Sequence, residues 1–251
     1  MAEMVLGVRM DGDTTEEALA KVLVFLQDEG QHMVCTPNPE MLVAAQADTH
    51  FKDILNEADL NICDGKGISM LTRFRIPRVT GVDFMQDMCG LAATQKKTVY
   101  LLGSGVPSVV EACKTTLVHR YRALRIVGTH PGLHITQTKK GIVYSDKEND
   151  SVIDDIIMKA PDILFVAFGH GKQEKWIHEQ LPHLPSVRIA MGVGGAFDFI
   201  AGKARRAPSW MQAVGLEWLW RVVREPKRVV RIAVAVIYFP ILFFLHNHNA
   251  S

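Results

Sequence analysis

The stretch ILFVAFGHGKQEKWIHEQ, residues 163–180, contains one complete strand–loop–helix unit. Its short apolar run Ile163–Phe168 predicts a buried strand. Gly169 and Gly171 then interrupt the chain, and the pattern of Lys172–Gln180 is typical of a helix. The stretch therefore predicts a βα unit, from which parallel sheets are built.

The same alternation runs through most of the chain. Further strands are predicted at Met4–Val8, His32–Cys35, Leu60–Cys63, Thr98–Leu102, Leu124–Val127 and Val187–Ala190. Helices are predicted at Thr15–Asp28, Glu40–Glu57 (broken near Asp48), Val82–Thr94, Pro107–His119 and Val152–Lys159. The most polar stretch, Gln137–Asp150, is predicted as a loop. This order predicts an α/β fold with a Rossmann-like, mostly parallel sheet and helices on both faces.

The chain changes character near Gly202, after which helical patterns follow without strands. We therefore predict an α/β domain over residues 1–202 and a helical C-terminal appendage over residues 203–251. The N-terminal residues MAEMVLGVRMDGD show neither a cationic start nor a long apolar run. We accordingly expect no signal peptide.

The appendage is basic, aromatic and finally apolar. The net charge of the chain is only +1, but Lys203 to Arg231 holds eight Lys or Arg against Glu217 and Glu225. A basic region on an acidic body favours an anionic partner for that region. The uncharged run Ile232–Leu245 that follows is shorter than the roughly 20 residues that span a bilayer. It is therefore predicted as an anchor that lies in the membrane interface.

Several chemistries find no support in the spacing of residues. Cys35, Cys63, Cys89 and Cys113 form no C-x-x-C pair and have apolar neighbours, which predicts buried, reduced thiols. The ten histidines show no metal-ligand spacing. We therefore expect neither a metal nor another cofactor.

Polar and glycine-containing segments follow the predicted strands. They read TPNPE (36–40), DGKG (64–67), GSGVP (103–107), GTHPG (128–132), GHGKQE (169–174) and GVGGAFDF (192–199). Ligands of open α/β sheets bind beyond the carboxyl ends of the strands, where glycine lets a ligand approach the backbone. Five glycine loops at one edge indicate a nucleotide-like ligand.

The loops do not match the common nucleotide fingerprints. The segment Gly103–Ser108 lacks the third glycine of G-x-G-x-x-G, and no acid follows the next strand. The chain contains neither a P-loop nor a G-x-S-x-G nucleophile elbow. Asp11 and Asp13 resemble a metal–nucleotide D-x-D, but they directly precede a helix, which favours a turn and N-cap.

Asp64 stands at a position where chemistry is expected, directly after a strand. Its carboxylate faces the predicted ligand crevice with a helix start beside it. Two roles fit this position equally: an N-cap for a helix at Lys66–Leu71, or a catalytic base.

Taken in order, the loops resemble the WecG/TagA/CpsF family of glycosyltransferases over nearly the whole chain, from about Leu6 to Arg231. The matching segments are TPNPEML, DGKGIS, RVTGVD, GKQEKWI, GVGGAFDFIAGKARRAP and GLEWLWRVVREPKRVVR. The last two are the most specific. Members usually carry proline before KQE, where this chain has Gly171, and this departure makes the loop more flexible.

The resemblance implies an inverting, metal-independent transfer of a sugar from a UDP-sugar to a sugar on a polyprenyl-diphosphate lipid. Asp64 matches the general base and Arg78 an arginine that stabilises the leaving diphosphate. The donor or substrate site is then expected at Thr36, Asn38, Gly103, Gln173, Glu174, Gly194 and Asp198. Arg221, Arg224 and Arg228 are expected at the acceptor diphosphate, because guanidinium groups suit phosphate oxygens.

These expectations place the protein in the cytoplasm, peripherally associated with the inner face of the membrane. Tryptophans of the appendage suit a water–lipid interface, although Trp218 also suits packing against the body. Two alternatives remain: a nucleotide-sugar epimerase or dehydrogenase, and a non-enzymatic basic module that binds a membrane or phosphate. Nothing else in the chain resembles a nucleic-acid reader, so no nucleic-acid partner is expected. The donor and acceptor sugars, the polymer and the oligomeric state, a homo-oligomer included, stay open.

Overall fold

A six-stranded parallel sheet forms the centre of the computed structural model, which describes residues 2–138, 141–204, 207–208, 211, 220 and 229–249. The strands along the chain are β1 Glu3–Val5, β2 Val8–Met10, β3 His32–Cys35, β4 Leu60–Asn61, β5 Thr98–Gly103, β6 Arg125–His130, β7 Thr136–Thr138, β8 Gly141–Val143, β9 Ile163–Ala167 and β10 Ile189–Gly192. The central sheet has the order β4-β3-β10-β9-β5-β6, and its neighbouring strands are all parallel. The predicted α/β fold is confirmed.

Helices cover both faces of this sheet. They are α1 Thr15–Phe25, α2 Pro39–Ala47, α3 Thr49–Glu57, α4 Lys66–Leu71, α5 Gly81–Thr94, α6 Pro107–Arg120, α7 Asp146–Lys159, α8 Lys172–Gln180 and α9 Ala196–Ile200. Local signals explain several starts: Thr14 and Glu17 form a capping box at α1, and Asp48 caps α3 after the predicted break. The predicted helix at Lys172–Gln180 has the same bounds as α8.

Alternate side chains of the strands enter two separate cores. Met33 and Cys35 of β3 belong to one core, with residues of α2, α3, α7 and α8. Val34 belongs to the other, with residues of α1, α5, α6 and α9. Strand residues point alternately to the two faces of a sheet. All five residues of β9 are buried, as expected for a strand covered on both sides. The four cysteines are free and buried, as predicted.

Two sequence-based assignments were wrong, both where the chain forms short antiparallel hairpins. The predicted strand Met4–Val8 is divided between β1 and β2 by a tight turn, in which Leu6 and Gly7 have φ of 52° and 75°. A leucine in the left-handed region gives no local signal of a turn. The predicted loop Gln137–Asp150 contains part of the β7–β8 hairpin and the start of α7.

A long apolar helix ends the described chain. It comprises α10 Val229–Ala233, a π-helical segment Val234–Tyr238 and α11 Phe239–Asn249, together called the C-terminal helix. The helix is disturbed at Pro240: the preceding turn is π-helical, and the Phe239 N–H donates to the Val234 carbonyl. The helix exceeds the predicted apolar run: Val229–His246 has a mean hydropathy of 2.2 and is long enough to cross a membrane.

One face of the C-terminal helix packs on the protein. Phe239 is fully buried, Phe243 and Ile232 are nearly so, and both phenylalanines join the core that contains α2. The opposite face leaves large apolar side chains exposed, among them Val230, Ile237, Ile241 and Phe244. The helix therefore has one apolar face on the body and another that faces solvent.

Candidate functional site

A cavity of about 830 Å³ opens beyond the carboxyl ends of β3, β4, β9 and β10. Six residues singled out in the sequence line it together: Thr36, Asn38, Asp64, Gln173, Gly194 and Asp198. They come from four segments that are far apart in the chain, from Thr36 to Asp198, but that directly follow neighbouring strands. The strand order brings them together, as expected for an open α/β sheet.

Thr36, Asp64 and Gly81 form one side of the cavity. A Cβ atom on Gly81 would lie 3.2 Å from Thr36 Oγ1 and 3.3 Å from Asp64 Oδ2. A side chain at Gly81 would therefore crowd both oxygen atoms. The Asp64 backbone is held by a 3.1 Å hydrogen bond from its N–H to the Pro37 carbonyl.

The helix after Asp64 does not use this residue as its N-cap. The N-cap of α4 is Gly65, with no side-chain capping hydrogen bond. Of the two roles that the sequence left open for Asp64, this geometry does not support the cap. Asp64 is half-buried and lines the cavity, so its carboxylate is placed to meet a ligand.

Three helices of nine or more residues begin at the cavity: α2, α5 and α8. Asn38 is the N-cap of α2, and its Oδ1 accepts a 3.1 Å hydrogen bond from the Met41 N–H. Helix N-termini carry partial positive charge and orphan N–H groups. The arrangement favours an anionic ligand such as a phosphate.

A buried chain of hydrogen bonds joins two loops of the cavity. The Gly194 N–H donates to Gln173 Oε1 at 3.0 Å, and Gln173 Nε2 donates to Glu174 Oε1 at 2.8 Å. Glu174 Oε2 accepts from the Gly171 N–H at 2.6 Å. Glu174 is 1% exposed, does not line the cavity, and has its pKa raised to about 7 by burial. Glu174 therefore lies behind Gln173.

Gly171, where the resemblance implies proline in other members, has a φ of 79°. Proline is restricted to φ near −65° and has no N–H. It could therefore neither adopt this conformation nor donate to Glu174. The local backbone conformation and the hydrogen bond to Glu174 therefore both depend on having glycine rather than proline at position 171.

Two further predicted residues lie outside the cavity lining. Gly103 has a φ of 120°, and a Cβ there would lie 2.6 Å from the Ala167 carbonyl oxygen. It therefore serves the close packing of β5 against β9. Arg78 is half-buried. Burial raises the pKa of the Cys63 thiol to about 12, Asp64 adds to the rise, and the Arg78 charge opposes it.

The C-terminal helix reaches the rim of the cavity through Arg231. Its Nε donates to Glu40 Oε2 at 2.7 Å, and its Nη2 lies 3.1 Å from His170 Nδ1. Burial lowers the pKa of His170, and Arg231 lowers it further while Glu40 opposes the change. His170 is therefore neutral at pH 7, with Nδ1 as the acceptor. All three residues line the cavity.

Sequence reasoning missed five charged or titratable lining residues: Glu40, His170, Lys172, Lys203 and Arg231. Lys203 Nζ lies 3.8 Å from Asp198 Oδ1, and Lys172 Nζ donates to the Ile135 carbonyl at 3.3 Å. His170 and Lys172 lie in the GHGKQE segment, so the polar character of that segment could have indicated them as lining residues. The contact of Arg231 with Glu40 of α2, 191 residues away, had no such signal.

The D-x-D residues are used structurally. Asp11 is buried and accepts from the Asn61 N–H at 2.8 Å, while Asp13 pairs with Lys21 at 2.5 Å. The N-cap of α1 is Thr14 rather than an aspartate. Within the described part of the chain, no group of three or more His, Cys, Asp or Glu could hold a metal ion.

Several predictions fall on residues outside the described ranges. They concern Trp210, Trp218 and the expected acceptor-diphosphate residues Arg221, Arg224 and Arg228. Trp220 is described and is half-buried in a helical conformation.

Comparison with known proteins identifies similar chains. The model of the glycosyl transferase WecG/TagA/CpsF family matches residues 3–250. An N-acetylglucosaminyldiphosphoundecaprenol N-acetyl-beta-D-mannosaminyltransferase of Bacillus subtilis (strain 168) is 31% identical over 207 residues, which cover 80% of this chain and 74% of the relative. A Staphylococcus aureus (strain MW2) protein of the same name is 28% identical over 240 residues, covering 93% and 89%.

Proposed function

The chain belongs to the WecG/TagA/CpsF family of glycosyl transferases, and from this premise we propose that it transfers an N-acetylmannosamine-type sugar or its uronic acid. The donor is a UDP-sugar, and the acceptor is a polyprenyl-diphosphate-linked N-acetylglucosamine. The product enters a cell-surface polysaccharide or teichoic acid. The names of the two relatives motivate this acceptor and sugar.

The observation that carries the proposal is the convergence of six sequence-matched residues in one cavity. The cavity lies where open α/β sheets bind nucleotides. Three helix starts and the cations Lys172, Lys203 and Arg231 line it, which suits a diphosphate. An epimerase or dehydrogenase using the GSGVP loop has no comparable support, because Gly103 packs against Ala167.

The proposed reaction is a single displacement with inversion. The acceptor hydroxyl oxygen forms a bond to the anomeric carbon of the donor sugar while the bond from that carbon to UDP breaks. Asp64 takes the hydroxyl proton, a role in which a positioned carboxylate contributes about 10²–10⁴-fold. Asp64 lines the cavity, through which the hydroxyl would approach it.

The departing UDP carries the negative charge that develops. We assign its stabilisation to Arg78 and the helix starts, with Thr36, Asn38, Gln173, Gly194 and Asp198 holding the donor. One donor group aimed at a developing charge supplies a few kcal/mol. The same scheme needs no metal, and Arg221, Arg224 and Arg228 would meet the acceptor diphosphate.

The test is UDP release from a panel of UDP-sugars, with and without the lipid-linked acceptor and with and without EDTA. We expect release with one donor only, dependent on acceptor and resistant to EDTA. Release that stops with EDTA would contradict the metal-independent scheme. Release without acceptor would indicate hydrolysis rather than transfer.

We further propose that residues 203–251 form an appendage that docks on the inner face of the cytoplasmic membrane. The C-terminal helix keeps one face on the body through Phe239 and Phe243 and exposes Ile237 and Phe244. A helix held along the protein in this way favours interfacial docking over crossing the bilayer. The polyprenyl acceptor requires the enzyme to work at such a surface.

Flotation with anionic vesicles tests this docking. The double variant I237N/F244N removes two exposed apolar side chains and should weaken vesicle binding about tenfold or more. M158N is the matched control, because Met158 on α7 is 75% exposed and lies outside the appendage. Unchanged vesicle binding by the double variant would exclude this face as the docking surface.

A further inference from the structure

We propose that Glu174 is a positioning residue that sets the orientation of the Gln173 amide and, through it, the Gly194 turn of the cavity. This inference rests on the proposed function, because the Gly194 turn is assigned there to the donor. Glu174 itself is 1% exposed and outside the cavity lining. It would therefore act through Gln173 rather than on the substrate.

The geometry links two loops through one carboxylate. Glu174 Oε2 accepts from the Gly171 N–H at 2.6 Å and Oε1 accepts from Gln173 Nε2 at 2.8 Å. Gln173 Oε1 accepts from the Gly194 N–H at 3.0 Å. Gly171 follows β9 and Gly194 follows β10, so this relay ties the two loops at adjacent strand ends. The relay is the series Gly171, Glu174, Gln173 and Gly194.

The carboxylate is the group that gives the relay its direction. A side-chain amide has a donating end and an accepting end of similar shape, whereas an ionised carboxylate only accepts. Glu174 therefore forces the NH₂ of Gln173 toward itself and the oxygen toward the Gly194 N–H. A flipped amide would place its NH₂ against that N–H, leaving two buried donors opposed.

Close packing holds the Gln173 side chain in this place. A Cβ on Gly192 would lie 2.6 Å from Gln173 Nε2, so Gly192 leaves just enough space for the amide. Gly194 has a φ of 53° and nothing within 4 Å of a Cβ built on it. The Gln173 hydrogen bond is thus a specific restraint on a turn that faces open space.

The relay is strictest with ionised Glu174, because a protonated carboxyl could also donate from one oxygen and the amide direction would no longer be fixed. Burial raises its pKa to about 7. The charged or titratable groups beside it are Lys175 on α8, which lowers that pKa, and Cys35 on β3, whose pKa burial and Glu174 raise. Lys175 is itself held by Asp48 at 2.5 Å. The relay should therefore weaken as the pH falls through about 7.

The decisive experiment is a double-mutant cycle of E174Q, Q173E and the exchanged pair Q173E/E174Q. E174Q places an amide where the relay needs an acceptor, and Q173E places two carboxylates against each other. In the exchanged pair, the carboxylate at 173 accepts from the Gly194 N–H and from the amide at 174. The oxygen of that amide accepts from the Gly171 N–H, so every hydrogen bond is restored in mirror order.

We expect each single variant to lower kcat/KM for the donor about tenfold or more, and the exchanged pair to lose clearly less than the product of the two single losses, although its carboxylate at 173 faces the donor site. E179Q is the matched control. Glu179 lies on the same helix, accepts from the Tyr144 hydroxyl at 3.1 Å and lies outside the cavity lining, so it should leave kcat/KM unchanged. Additive losses in the exchanged pair would overturn the inference.

A second readout needs no activity. The ¹H–¹⁵N signal of the Gly194 amide in wild type should titrate with a midpoint near pH 7, and the titration should disappear in E174Q. A Gly194 signal unaffected by pH and by E174Q would overturn the relay. If no UDP-sugar supports transfer while Gly194 titrates as expected, the proposed function fails and the relay stands.

Discussion

Two groups of glycine loops at the same edge of the sheet look alike in sequence and differ in space. At Gly169 and Gly194, beside the cavity, a Cβ would meet nothing within 4 Å. At Gly103 and Gly132, after β5 and β6, a Cβ would lie 2.6 Å from the Ala167 carbonyl oxygen and 2.4 Å from the Phe168 ring. One group leaves room for a ligand, and the other lets the chain pack against itself.

The difference shows that a glycine after a strand allows a close approach to the backbone, but the sequence does not tell whether a ligand or the protein's own chain makes that approach. In the β5–β6 half, the Ser104 N–H donates to the Ala167 carbonyl and the Gly105 N–H donates to the Pro131 carbonyl. These backbone groups are therefore used within the protein. In the cavity half, the polar residues Thr36, Asp64 and Asp198 line open space. Substitutions in the cavity half should therefore affect function, and substitutions in the β5–β6 half should affect stability.

The largest expected effect is on the cavity side, in D64N. Removing the proposed base should lower the rate of UDP release about 10³-fold. The unfolding free energy should change by less than about 1 kcal/mol, because Asp64 is not a helix cap. D53N is the control, since Asp53 is exposed on α3. A rate of D64N close to wild type would remove Asp64 from the chemistry.

The next effect concerns stability on the β5–β6 side, in G103A. An added methyl group would meet the Ala167 backbone at a φ of 120°. We expect a loss of about 3 kcal/mol or more in the unfolding free energy measured with urea. G105A is the control, because Gly105 has a φ of 71° with no atom near its Cβ, and should cost about 1–2 kcal/mol. Equal losses in the two variants would refute the packing role of Gly103.

The pH dependence of stability should reveal the cost of burying Glu174 beside the cavity. Its pKa is raised from 4.5 to about 7 in the folded protein. A raised pKa means that the folded state binds the proton more tightly, so stability is greatest below pH 4.5 and is lost as the pH rises through about 7. Relative to E174Q, wild type should lose about 3 kcal/mol over that window.

Urea unfolding of both proteins at pH 5, 6, 7 and 8 measures this difference, since the other titrating groups are common to the two. Parallel pH profiles would mean that Glu174 ionises at its ordinary pKa in the folded protein. Burying Glu174 beside the cavity would then carry no measurable cost in stability.

The smallest expected effect is that of G194A, the cavity counterpart of G103A. With a φ of 53° and no atom near a Cβ, the substitution should cost only about 1–2 kcal/mol in unfolding free energy. The new methyl group enters the cavity, so kcat/KM for the donor should fall about tenfold. A stability loss as large as that of G103A would erase the contrast between the two groups of loops.

Much of the fold could be read from local patterns. The order of strands and helices, the break at Asp48 and the disturbance before Pro240 depend on residues within a few positions of one another. Caps, proline and periodicity act over this distance. The β1–β2 hairpin was not predicted, because its turn places Leu6 in a left-handed conformation for which leucine has no preference.

The candidate site was partly readable for the same reason. Asp64, Thr36 and Gln173 follow predicted strands, so the rule that ligands bind at the carboxyl edge of the sheet predicts that they lie together. That rule could not tell that Gly103 packs against Ala167, or that Glu174 lies behind Gln173. Those outcomes depend on how neighbouring strands and helices meet.

The amino-acid sequence thus carries the alternating architecture, the buried cysteines and the edge at which the cavity lies, because each follows from short-range periodicity and from the chemistry of single residues. The open or filled space beside each glycine follows from the strand order β4-β3-β10-β9-β5-β6. So does the meeting of Arg231 with Glu40, 191 residues away in the chain. Packing between distant elements sets these contacts, and no local pattern encodes them.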